Sequence, residues 1–131
     1  MKTIFTNGCF DILHPAHIKL LKFCKEMGKV VVGINSDDSI KRLKGSSRPF
    51  FTQDDRKFML ESNKYVDEVY IFDEDTPYNL IKRLNPDTIV KGGDYSKENV
   101  VGSDLAEVII FEYIDGYSTT KILEGMLKNE K

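Results

Sequence analysis

Two rhythms of apolar and polar positions run along the chain. Residues 29–34 (KVVVGI) are apolar almost without a break, the pattern of a strand covered on both faces. Residues 2–6 (KTIFT) are a shorter strand candidate that runs into Asn7-Gly8, a turn signal. Between them, residues 15–27 carry Ile18, Leu20, Leu21 and Phe23 at helical spacing behind Pro15. Further on, 53–63, 77–84 and 118–127 read as helices. Residues 66–72, 87–90 and 107–112 read as strands, the second of them closed by Gly92-Gly93. The stretch 35–51 is polar and reads as a loop.

Strands alternating with helices, several of them apolar throughout, predict an α/β protein. The expected form is a Rossmann-like three-layer fold with a five-stranded parallel sheet, in one domain spanning residues 1–131. Ligands of such folds bind beyond the carboxyl ends of the strands. The loops after the first, second, fourth and fifth strands should therefore share one functional edge.

Composition narrows the partners. A chain of 131 residues with 40% hydrophobic and 31% charged positions suits one soluble domain with a sufficient core. A net charge of -2 with scattered Lys and Arg offers no field for a polyanion, so nucleic acid is not expected. No apolar run is long enough for a bilayer and no export signal is visible, so no membrane role is expected either. Cys9 and Cys24 read as free thiols of a reduced, cytoplasmic protein.

The chemistry concentrates in residues 6–17 (TNGCFDILHPAH). Pro15 suits the first helical position, which makes His14 the N-cap and sets His17 three residues on. That spacing puts both imidazoles on one face of the first turn, beside open backbone N–H groups and the positive end of the helix dipole. Such a helix start binds anions, and the dipole should lower both pKa values. The same residues also suit a plain helix cap on the surface. A metal reading, with Cys9 or Asp11 joining the histidines, lacks the further Cys or His cluster of a structural site.

Three further groups fall near the same edge. Gly116-Tyr117-Ser118-Thr119-Thr120 places hydroxyls before the last helix, as phosphate ligands or as an ordinary cap. Lys41, Arg42, Lys44, Arg48 and Arg56 surround Gly45-Ser46-Ser47 and suit a loop closing on a phosphate chain, or a solvated face. Asp94 can accept from a ribose or base, or form an Asx turn, and Asp11 can orient a histidine, approach a metal or bond loop backbone.

In order, these segments resemble the cytidylyltransferase-like nucleotidyltransferase superfamily. Its His-x-Gly-His hallmark is similar to residues 7–17, with Ala16 where the family has glycine, and its Ser-Thr-Thr motif matches residues 118–120. FTNGCFDILH, NSDDSIKRLKG with Arg48-Pro49, EDTPYNLI and VKGGDY most resemble the nucleotidyltransferase domain of bacterial ADP-heptose synthases. Glycerol-3-phosphate cytidylyltransferases are a more distant likeness. They carry an arginine shortly before Ser-Thr-Thr, where this chain has Glu112-Tyr113-Ile114-Asp115.

The resemblance implies in-line attack by an acceptor phosphate on the α-phosphorus of a magnesium NTP, with ATP favoured and D-glycero-D-manno-heptose 1-phosphate as acceptor. His14, His17, Lys44 and Asp11 would be catalytic. Thr6, Asn7, Gly8, Cys9, Phe10, Lys41, Lys91, Gly92, Asp94, Tyr117, Ser118, Thr119 and Thr120 would join the histidines on the nucleotide. Asp11, Lys44, Arg48 and Arg56 would hold the acceptor, and Mg2+ would ride on the nucleotide phosphates, with Asp11 a candidate ligand. The resemblance also implies a homodimer. Known heptose enzymes pair this domain with a kinase, for which 131 residues leave no room, so a separate enzyme is expected to make the acceptor. The alternatives are a CTP-dependent enzyme acting on a polyol or amino-alcohol phosphate, and a nucleotide-binding regulatory subunit without turnover.

Overall fold

The structure, a computed structural model, describes residues 1–93 and 95–112. In chain order it comprises β1 (Thr3–Gly8), α1 (Pro15–Met27), β2 (Lys29–Asn35), α2 (Asp37–Lys44), α3 (Gln53–Glu61), β3 (Glu68–Phe72), α4 (Tyr78–Leu84), β4 (Thr88–Gly92), a 3-10 turn at Lys97–Asn99, and β5 (Glu107–Phe111). The strands form one parallel five-stranded sheet in the order β3-β2-β1-β4-β5. Strand order reverses beside β1, so the crevice for a ligand opens at the end of that strand.

The continuous apolar run of β2 is explained by its interior place between β3 and β1, since nearly every residue in it is buried. Successive side chains feed two cores. Ile4, Val30, Val32 and Val90 face Leu20, Leu21 and Cys24 of α1 and Leu60 of α3, whereas Phe5, Val31 and Ile89 face Leu80 and Ile81 of α4 and Val100. Helices thus cover both faces, as the three-layer expectation required. Ala16, Leu20, Leu21 and Cys24 form the buried stripe of α1. Burying a side chain the size of leucine contributes roughly 1.5–3 kcal/mol.

Two boundaries differ from expectation. Asn7 and Gly8 close β1 instead of forming a turn, because their backbones still pair with Gly33 and Ile34. The polar stretch after β2 contains α2, whose buried positions are only Ser39 and Ile40, too few for an apolar rhythm. Its ends carry the signal instead. Ser36 caps the first turn through its hydroxyl, Asp37 and Asp38 follow, and Lys41, Arg42 and Lys44 occupy the last turn. The expected helix at 118–127 lies outside the described residues.

Candidate active site

Pro15 opens α1 and His14 is its N-cap in extended conformation, as the spacing predicted, but the His14 side chain makes no capping hydrogen bond. It stacks on His17 instead, with ring centroids 3.7 Å apart and planes 21° from parallel. Phe10 continues the pile at 5.0 Å from His17. Burial lowers the His14 pKa, and it pushes His17 down to about 3, assisted by the charges of His14 and Lys44 and opposed by a hydrogen bond with the Ile12 backbone. The expected direction holds, with desolvation as the leading cause. At neutral pH the pair is uncharged, and each ring then carries one N–H able to donate at a helix start.

Beyond Asn7, Gly8 and Cys9, on the α4 side of the sheet, lies a cavity of about 400 Å3. Lys44 from the end of α2 and Lys91 from β4 supply its cations, while Asn35, Asp75, Thr76, Tyr95 and Asn99 supply polar groups. Leu43, Pro77, Val100 and Val101 supply apolar walls. Desolvation lowers the pKa of Lys91, and its ammonium sits 5.1 Å from the Tyr95 ring centroid. Lys44 links the two halves of the site, since it lines the cavity and its charge is felt at His17.

The loop after β3 was absent from the predicted edge, yet it supplies Asp75, Thr76 and Pro77 to the cavity. It is fastened to α2. Ser36 Oγ donates to Asp73 at 2.6 Å, Ser39 Oγ donates to the Glu74 carbonyl at 2.9 Å, and Arg42 Nε donates to Asp75 at 3.0 Å. Position at a strand's carboxyl end was the available signal. Tyr95 ends the VKGGDY segment in the predicted loop after the fourth strand, whereas Asn99 carried no comparable mark.

Several predicted ligands have other employment. Arg56 has 0% exposure, which corrects the expectation that it touches an acceptor. Its guanidinium donates to the carbonyls of Cys9, Asn35 and Phe51 and pairs with Asp37 at 2.9 Å. Asp11, 1% exposed, accepts from Arg48 Nε at 3.1 Å and from the backbone N–H groups of Phe50 and Phe51. Its carboxylate therefore anchors the 48–51 segment, the loop-bonding alternative. Arg48 is consumed in part by the same pair, although its buried Nη2 has no hydrogen-bond partner. Lys41 does not line the cavity and Arg42 faces Asp75, so the cationic stretch is dispersed and does not form one phosphate loop.

Thr6 is fully buried in β1, its hydroxyl without a partner. Cys9 lines the cavity as a free thiol, and Cys24 is a core thiol whose burial pushes its pKa up to about 12. No group of three or more metal-ligating side chains exists among the described residues, and the Asp11 carboxylate is already committed, so these residues do not form a protein-held Mg2+ site. Among the described residues no helix is long and apolar enough to cross a membrane. Asp94, Tyr117, Ser118, Thr119 and Thr120 lie outside the described residues.

Known proteins resemble this chain in sequence and fold. The profile of the Cytidylyltransferase-like family matches residues 5–125. The chain is 56% identical to "Bifunctional protein HldE" of a Nitratiruptor species over 95% of its own length, and 53% identical to "Bifunctional protein HldE" of Helicobacter pylori over 94%. It spans only 28% and 27% of those relatives. Among solved structures, the lipopolysaccharide core biosynthesis protein of Thermoplasma volcanium is similar with a TM-score of 0.76 at 26% identity, covering 88% of this chain and 99% of that one. By profile, identity and fold together, the chain belongs to the cytidylyltransferase-like family of nucleotidyltransferases.

Proposed function

We propose that this chain transfers a nucleoside monophosphate from an NTP, with ATP favoured, to D-glycero-D-manno-heptose 1-phosphate. The acceptor phosphate oxygen attacks the α-phosphorus, a new P–O bond forms there, the bond to the β-phosphate oxygen breaks, and pyrophosphate leaves. The observation that carries this reading is the stacked, uncharged His14–His17 pair at the start of α1, joined through Lys44 to a cationic cavity.

Transfer to a phosphate needs donors aimed at oxygens where negative charge accumulates. His14, His17 and the first-turn amides of α1 supply them at the α-phosphate. The acceptor occupies the cavity, its phosphate between Lys44 and Lys91 and its hydroxylated body against Asp75, Thr76 and Asn99. Lys91 thereby moves from the nucleoside to the acceptor. Mg2+ would arrive on the triphosphate, where it neutralises phosphate charge. The heptose acceptor rests on the likeness to the HldE proteins and is in keeping with a structural relative in lipopolysaccharide core biosynthesis. A homodimer in the cytoplasm is part of the same proposal, on the family resemblance alone.

The test is pyrophosphate release with each of the four NTPs against a panel of sugar 1-phosphates and polyol phosphates, with the product examined by phosphorus NMR. Turnover of ATP with the heptose 1-phosphate, giving a pyrophosphate diester, is expected. Turnover of CTP with glycerol 3-phosphate alone would move the chain to the cytidylyltransferase branch. No release with any pair would leave a nucleotide-binding regulatory subunit.

A further inference from the structure

Phe10 holds a backbone conformation that its residue type avoids. Its φ is 48°, and among the described residues Asn85 is the other non-glycine at positive φ. Asparagine tolerates that region through its short polar side chain, whereas a bulky aromatic does so only under external restraint. The restraint is visible on both sides. The preceding Cys9 carbonyl accepts from Arg56 Nη1 at 2.9 Å, and the following Asp11 carboxylate is gripped by Arg48 Nε and the N–H groups of Phe50 and Phe51.

The turn delivers the ring to a particular place. Phe10 is 4% exposed, and its ring lies 5.0 Å from the His17 ring at an interplanar angle of 53°. Gly8 makes room for it, because a Cβ at that position would stand 3.3 Å from the Phe10 ring edge. His17 also stacks on His14, with ring centroids 3.7 Å apart. The histidine thus has two ring neighbours, a tilted phenyl and its partner imidazole. We propose that Phe10 is a positioning residue, its ring held by the Arg56 and Asp11 clamps so that it fixes the orientation of His17 at the start of α1. This departs from the expectation that Phe10 contacts nucleotide.

Such a ring acts in two ways. It removes the ring rotations that would carry the His17 donor off the line of the α-phosphate, and it excludes water from one face of the imidazole. The kinetic part of the inference rests on the proposed transferase reading, while the histidine's state in the free protein does not.

The experiment therefore uses two readouts on Phe10→Leu and Phe10→Gly. Leucine keeps apolar bulk and the backbone strain but removes the ring, and glycine removes both ring and strain. Both variants are expected to lower kcat on the order of tenfold to a hundredfold, with the KM for NTP within about twofold. In parallel, histidine NMR titration of the free protein, with its two histidines told apart by His14→Gln, follows His17 directly. Its titration midpoint should rise from about 3 toward the ordinary value in both variants as water reaches the ring. A folded variant of either kind with wild-type kcat and an unmoved His17 titration overturns the proposal. Should wild-type protein show no turnover at all, the transferase reading fails while the titration still decides the role of Phe10. Should one variant fail to fold, the other carries the same two readouts.

Discussion

One nitrogen of Arg56, Nη1, donates to the carbonyls of both Cys9 and Asn35, at 2.9 and 2.8 Å, so a single buried cation ties the end of β1 to the end of β2. Cys9 lies past the last rung of β1, at Gly8, whereas Asn35 is the last rung between β2 and β3. Removing the guanidinium strands three carbonyl acceptors, those of Cys9, Asn35 and Phe51, and the Asp37 carboxylate. Arg56→Met is expected to cost about 3–5 kcal/mol, read as a lowered midpoint in urea unfolding. Arg56→Lys should recover little of it, because an ammonium cannot reproduce the planar fork.

His17→Ala should lower kcat on the order of a hundredfold or more, the usual loss when a donor to developing charge is deleted. The alanine suits a helix interior, so circular dichroism should be unchanged. Near-normal pyrophosphate release from the variant would remove the histidine from the chemistry.

Lys91→Ala should weaken the sugar phosphate and spare the nucleotide. A charge-assisted hydrogen bond contributes about 1.5–3 kcal/mol, so the acceptor KM should rise roughly tenfold to a hundredfold at nearly constant NTP KM. The opposite split, with NTP binding lost, would return Lys91 to the nucleoside side. Lys44→Ala should affect both, as its charge reaches the cavity and His17.

Acid should destabilise the fold through His17. Its folded pKa of about 3 lies below the ordinary 6.5, so between those values the unfolded chain binds a proton that the folded chain refuses. Stability must then fall as pH drops from 6.5 toward 3, with no further loss from this group below that. His14 is shifted the same way, and Lys44 is the other charge acting on His17. In urea titrations at stepped pH, His17→Gln should have a shallower acid slope than wild type. Equal slopes would refute the assignment.

Sequence patterns were reliable where burial itself makes the pattern. The unbroken apolar run of β2 follows from two covered faces, and the helix start at Pro15 follows from a missing N–H, so both could be read directly. The roles of Asp11 and Arg56 could not. A carboxylate near two histidines and an arginine near a lysine-rich stretch look like ligands in one dimension. Only the chain's return through 48–56 brings backbone N–H groups onto Asp11 and carbonyls around Arg56. The cavity was hidden for a related reason. Its lining comes from separate stretches of the chain, including Asp75 and Asn99, which no local spacing connects.

That dispersal has an evolutionary reading. The histidine pair belongs to one contiguous stretch ahead of and within α1, whereas much of the cavity wall is drawn from the β3–α4 connection and from residues 95–101. Loops of this kind accept substitution more readily than the elements they join. On the proposed reading, the groups that act on the transferred phosphate and much of the wall that holds its acceptor are therefore separately heritable. A lineage could retune one by drift in two short surface segments while the other stayed untouched.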